Sequence, residues 1–223
     1  DWEGRQVTAE LARSHVGPGG QRLSVQGVDA DWTGELIWRP TGSEDAFVRT
    51  PLRSLGSLIT GEIPAHARGA QVEYRLEITT PRGLLRLPVH GTVITRFRGA
   101  APLWVSLPHI VLLALGLLLA MRAGLEALAL GEHALNYAGG ALFAFLGGGL
   151  ILGPLMKHHA YGFLWAGPPR GLDSTDTKTV IVVIAWLLPL LLRARGRRVR
   201  RWIVIAALLS LAAFLIPHSS FGP

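Results

Sequence analysis

Six side chains in the second half of this sequence have types and spacing that suit metal or haem chemistry. The stretch "KHHAYGFLWAGPPRGLDSTDTK", Lys157 to Lys178, carries adjacent His158 and His159 and the acids Asp173 and Asp176. His109 lies inside an apolar run, and His218 follows another in "FLIPHSSFG". Neutral imidazoles with carboxylates suit a divalent metal, which points to His158, His159, Asp173 and Asp176. Two histidines on facing helices, His109 and His218, suit a non-covalent haem. Asp173 and Asp176 would serve an intramembrane hydrolase only if both shared one pocket.

A plainer reading competes with each of these. Polar residues gather at membrane boundaries because hydrocarbon excludes them, and "DSTDTKT" also reads as a helix N-cap. His109 is the exception, since an imidazole within an apolar run must find a partner there. With no cysteine, disulfides, covalent c-type haem, cysteine-ligated clusters and thiol catalysis are excluded. No His-Glu-x-x-His motif marks a metallohydrolase. His15, His66 and His90 in the first half stand apart beside turn-like segments and read as solvated loop residues. "GPGGQ" lacks the Lys-Ser/Thr of a phosphate loop and reads as a turn.

The elements that must position these residues fall into two halves. The chain has 223 residues, 49% hydrophobic and 17% charged, with a mean hydropathy of +0.35. That is too apolar for an ordinary soluble domain of this size. The composition changes near Gly99, which predicts a domain over 1–99 and a membrane domain over 100–223. Residues 101–223 hold ten Lys and Arg against four Asp and Glu, so most of the net charge of +7 belongs to the apolar half. Six of those ten cations form "RARGRRVRR": Arg193, Arg195, Arg197, Arg198, Arg200 and Arg201. Between two apolar runs, such a cluster reads as a cytoplasmic topology signal facing anionic lipid, not as a nucleic-acid surface. The sequence opens on Asp1 without a signal-like stretch, as expected if an upstream signal or anchor has been removed or is missing.

The first half reads as strands. "QVEYRLEITT" alternates, with Val72, Tyr74, Leu76 and Ile78 on one face, a period of two that calls for a half-buried strand. Similar runs between turn residues predict strands at 7–11, 23–28, 35–38, 47–49, 57–62, 72–79, 84–88 and 93–97. So many short strands resemble an immunoglobulin or fibronectin type III β-sandwich, and that resemblance implies Tyr74 as a corner tyrosine.

The second half predicts four transmembrane helices at about 103–121, 138–156, 177–193 and 202–217. Gly149 and Gly153 form a small-xxx-small ridge for close helix packing within "YAGGALFAFLGGGLILGP". With the arginine cluster inside, the β domain, the 157–178 loop and the C-terminus all lie outside, and the histidines and acids named above converge on one face.

"RFRGAAPLWVSLPHIVLLALGLLLAMRAGLEAL", "GFLWAGPPRGLDSTDTKT" and "FLIPHSSFG" resemble segments of an uncharacterised bacterial inner-membrane protein family. In that family an external β domain precedes several helices, a loop ends in Asp-x-Thr-Asp-x-Lys-Thr, and the last helix closes with Ile-Pro-His-Ser. Asp173, Thr175, Asp176, Lys178 and Thr179 fit the loop pattern, as do Pro217, His218 and Ser219 at the end. Thr177 stands where the family has Asn, and Arg170 and Leu172 replace loop aromatics. The resemblance implies architecture and carries no activity. A fainter similarity links the loop to the Trp-rich external loops of cytochrome c assembly proteins, which handle haem.

These readings converge on a multi-pass protein of the bacterial inner membrane with periplasmic β domain and C-terminus. The expected role is a non-catalytic accessory or assembly subunit. Its partners would be membrane lipids and other membrane protein subunits, docked through the β domain and the glycine-rich helix. The alternative is a haem- or metal-handling protein.

Overall fold

The computed structural model describes residues 6–169, 171 and 173–216. His218, and with it the family-like ending at Pro217 and Ser219, lies outside the described residues, as do Arg170 and Leu172. The chain divides into two compact units, Asp1–Ala100 with Ala160–Gly162, and Ala101–His159 with Phe163–Pro223.

The first unit is built of strands in two sheets. One sheet pairs β1 (Thr8–Ala9), β3 (Gln21–Gln26), β7 (Leu58–Ile63) and β6 (Arg53–Leu55), in that order. The other runs β2 (Ser14–Val16), β10 (Val93–Arg98), β8 (Gln71–Thr80), β4 (Thr33–Pro40), β5 (Val48–Pro51), with β9 (Gly83–Leu87) also paired to β8. The β2–β10 pair is parallel, and the remaining pairs are antiparallel. Eight of these ten strands overlap the segments predicted from alternation. The two missed, β2 and β6, have three residues each, too few for a period of two to show.

Alternation on β8 decides what is inside. Val72, Tyr74, Leu76 and Ile78 are each fully buried, packing with Trp32, Leu36 and Ile59 from other strands and loops. Each such large side chain contributes about 1.5–3 kcal/mol by leaving water. Tyr74 is not a corner tyrosine. Its hydroxyl donates to the Ala12 carbonyl, 3.0 Å away and 62 positions earlier in the chain, instead of bonding back to backbone a few residues upstream. Burial pushes its phenol well above the ordinary tyrosine range. On the opposite face, Glu77 is buried under arginines, with Arg75 and Arg86 Nε both 3.2 Å from its carboxylate.

The second unit is helical. Its helices are α1 (Leu103–Leu128), α2 (Ala134–Phe145), α3 (Gly153–Tyr161), α4 (Ser174–Ala194) and α5 (Arg200–Leu215), and a π-helical segment, Leu146–Leu152, joins α2 to α3. Three continuous helices are long and apolar enough to cross a membrane: Leu103–Leu128, the composite Ala134–Tyr161 and Ser174–Ala194. Among the described residues these account for three of the four spans expected. The fourth helix forms, but its 16 residues reach about 24 Å at 1.5 Å each, against a hydrocarbon core of about 30 Å. Conversely, α1 runs seven residues beyond its predicted end at Met121, carried by an Arg122–Glu126 ion pair of 2.8 Å one turn apart.

Small residues hold the bundle together. Ala120, Ala123 and Ala127 of α1, Ala134, Ala138 and Ala141 of α2, and Ala206 and Ala207 of α5 are buried at helical spacing. This alanine seam lets backbones approach closely where lipid supplies no hydrophobic drive between helices. A fully buried hydrogen bond crosses it, from Trp186 Nε1 to Ser210 Oγ at 2.8 Å, and Ser210 in turn donates to Ala206 O.

Candidate functional site

The 157–178 segment closes on one lysine. Lys157 sits near the end of α3, and its Nζ lies 2.6 Å from Asp173 Oδ1 and 2.8 Å from Asp176 Oδ1. Lys157 and Asp176 are 12% and 5% exposed at their side chains, so the pair is withdrawn from water. Such a pair persists only if its remaining lone pairs are satisfied, and here they are. Asp173 is the N-cap of α4, accepting from the Thr175 and Asp176 amides with the same Oδ1. Asp176 turns its Oδ2 the other way, to the amides of Ala166 at 2.8 Å and Gly167 at 3.0 Å. A Cβ on Gly167 would stand 2.4 Å from that of Asp176, so a side chain there would push the loop off its anchor.

Asp173 lies outside the spanning helices. Burial alone pushes its carboxyl up, but the Lys157 hydrogen bond and charge, with the two amides, outweigh it and hold the group below the usual carboxylate range.

The remaining positions of the Asp-x-Thr-Asp-x-Lys-Thr pattern also have local partners. Lys178 Nζ donates to the Ile216 carbonyl at 2.9 Å, tying the start of α4 to the end of α5. Thr179 Oγ1 donates to Thr175 O, and its methyl meets the space left by Gly149, where an added Cβ would come within 2.9 Å.

His109 finds its partner in the π-helical segment. Its Nδ1 lies 2.8 Å from the Gly148 carbonyl. A carbonyl can only accept, so Nδ1 donates its proton to it and Nε2 takes no part in that contact. The i→i+5 pattern of a π segment disturbs the regular carbonyl pairing of a helix, and the imidazole donates to one of those carbonyls. Gly153, one wall of the expected ridge, is 3.9 Å from the imidazole Cε1 by its would-be Cβ, an ordinary contact. Gly148 is tighter: a Cβ there would fall 2.9 Å from Leu112 Cβ. The glycine-rich helix therefore packs against α1 and α4 of its own chain.

The other expected ligands are placed apart. His158 and His159 end α3, with ring centroids 6.0 Å from each other, and His159 turns its edge towards Trp104 at 6.2 Å. Among the described residues no group of three or more His, Asp or Glu side chains lies together as a metal site would need. Asp173 and Asp176 do converge, but on Lys157 and on backbone amides. The arginine cluster occupies the opposite end of the bundle: Arg193 in the last turn of α4, Arg195 as its C-cap, Arg197 and Arg198 in the turn, and Arg200 and Arg201 opening α5. Lys157 and Gly167 were not among the expected site residues. The available signal was a lone lysine at the end of an apolar run, which demands a counter-charge as strictly as His109 demands an acceptor.

No protein-family model matches the chain, and no curated protein matches it either.

Proposed function

We propose that the protein is a non-catalytic accessory or assembly subunit of a bacterial inner-membrane complex, held by its helices and docking through its β unit. One observation carries this reading: the charged loop spends its hydrogen-bonding capacity on its own architecture. Asp173 and Asp176 accept from Lys157 and four backbone amides, an arrangement that fixes the shape of a segment and leaves little for a substrate. Two further features support it. The two sheets, ordered β1–β3–β7–β6 and β2–β10–β8–β4–β5, support reading the β unit as an immunoglobulin-type sandwich, an architecture used widely for recognition. The arginines between α4 and α5 favour that turn as cytoplasmic, which makes the β unit and the 157–178 loop periplasmic and α5 a fourth crossing. Gly148 and Gly149 pack within the chain while Gly139 meets nothing within 4 Å, so docking falls chiefly to the β unit, with the Gly139 face of the glycine-rich helix as its complement. Native purification in mild detergent, with the β unit bearing a photo-crosslinker, tests the proposal. It expects stoichiometric membrane partners crosslinked to the β unit, and an isolated monomer at native expression sinks it.

A second reading, haem or metal handling, is favoured by one feature. His109 donates through Nδ1 to a backbone carbonyl, the orientation that readies Nε2 for a metal. An absorption spectrum and metal analysis of the purified protein separate the two. A stoichiometric haem or metal lost in His109→Ala would replace the accessory role.

A further inference from the structure

At the end of the bundle opposite the lysine clamp, the turn after α1 and the turn before α5 border a half-open cavity of about 940 Å³. Its lining is strongly one-signed: Arg193, Arg197, Arg198, Arg200 and Arg201 against a single acid, Glu132. Like charges gathered this closely repel, and the fold does not neutralise them. Among the described residues, Arg193, Arg197 and Arg198 make no side-chain ion pair. Arg200 and Arg201 stand in the first turn of α5, whose amides already present positive charge, so the helix dipole opposes them too.

The backbone is also held in a costly form here. Leu130 is the one non-glycine among the described residues with positive φ, 60°. It follows α1 at the left-handed position that glycine usually fills, with the Gly131 amide bonded back to Glu126 O. Arg200 Nη2 donates to the Leu130 carbonyl at 2.8 Å and ties the two turns together. The lining is also partly apolar, with Leu130 and Leu135 beside the arginines and the buried Val199 and Ile203 at its floor.

We propose that this cavity binds the headgroup of an anionic phospholipid, its phosphate on Arg197 and Arg198 and its glycerol and upper acyl carbons along Leu130 and Leu135. Cations beside apolar lining suit an amphiphile better than a free anion, which would leave that lining unused. The cavity lies where three membrane-length helices begin or end, and the ends of such helices are where a bilayer presents its headgroups. Basic pockets between helix ends are a recurrent way to hold such headgroups. The arginine turn is thereby a lipid site and not only a topology signal, whichever function the β unit serves.

The test uses the full chain in nanodiscs of phosphatidylcholine with a minor fraction of phosphatidylglycerol. Lipids retained after detergent extraction are counted by native mass spectrometry. The expected result is phosphatidylglycerol retained in preference to phosphatidylcholine. Retention should fall about thirtyfold in the Arg197→Gln/Arg198→Gln double variant. Arg195→Gln removes a charge from the same turn but lies outside the lining, so it should retain phosphatidylglycerol like the native chain. Equal retention of both lipids overturns the proposal. So does an Arg195→Gln loss as large as that of Arg197→Gln alone, which would mean bulk charge and no site. Displacement of phosphatidylglycerol by inorganic phosphate at low millimolar concentration would assign the cavity to a free anion and equally defeat the lipid.

Discussion

Lys157 and Asp176 form an ion pair of 2.8 Å between two side chains that have almost left solvent, at 12% and 5% exposure. One belongs to the helix that enters the 157–178 loop and the other to the helix that leaves it. Breaking such a pair from one side strands a buried charge, which costs about 3–5 kcal/mol. Asp176→Asn keeps an oxygen for the Ala166 and Gly167 amides but loses the charge. Lys157→Met keeps the aliphatic stem and loses the ammonium. Each single variant should be strongly destabilised in detergent, and the double variant should be more stable than either. Thermal unfolding of the four proteins measures the coupling; additive losses would mean that the contact does not hold the loop.

Asp173 gives the same clamp a pH dependence. Its folded carboxyl titrates below the ordinary value, so its contribution is complete above about pH 4, the unfolded aspartate range. That contribution is lost as the pH falls through the lowered folded value. Other carboxylates act in the same window, so the informative quantity is a difference. Melting temperature followed from neutral pH into acid should drop less steeply in Asp173→Asn than in the native chain. Parallel curves would show that Asp173 is not held ionised by Lys157.

Much of the scaffold was legible in the sequence, because period-two alternation and apolar run length act through single residues. Val72, Tyr74, Leu76 and Ile78 announced their strand face before any contact was known, and the starts of α1 and α4 fell close to where hydropathy put them. What stayed hidden depends on partners distant in sequence. Asp173 and Asp176 were visible as acids, but not that they share Lys157. His109 needed an acceptor, but nothing in one dimension says that Gly148, 39 positions away, presents one. The alanine seam was masked because alanine is common in any apolar helix. Gly149 and Gly153 drew the eye instead, though Gly153 packs loosely.

The glycines of the composite helix should separate by what faces them. At Gly148 a new methyl would meet Leu112 Cβ at 2.9 Å and the Leu113 amide nitrogen at 3.2 Å, and backbone cannot step aside. Gly148→Ala should therefore cost about 1–3 kcal/mol through overpacking. At Gly139 nothing lies within 4 Å. Gly139→Ala should be neutral or stabilising by up to about 1 kcal/mol, since alanine loses less backbone freedom in a helix. Unfolding of both variants in the same detergent decides it. A Gly139 variant as damaged as Gly148 would place a further, intermolecular contact on that face.

His109→Phe tests why an imidazole sits inside an apolar run. Phenylalanine fills a similar volume but cannot donate, so the carbonyl of the buried Gly148 loses its partner. The expected loss is about 1–3 kcal/mol. It should be accompanied by faster amide exchange across Leu146–Leu152, because the π segment loses the donor that holds it. His109→Asn offers a partial remedy, since its amide can donate from a shorter stem, and should recover part of the stability. The pattern discriminates between the histidine's two possible duties. If His109 serves only the backbone, stability and exchange change together and the absorption spectrum of the purified protein stays as it was. If Nε2 also ligates a metal or haem, both variants lose that group, including the one whose fold is rescued.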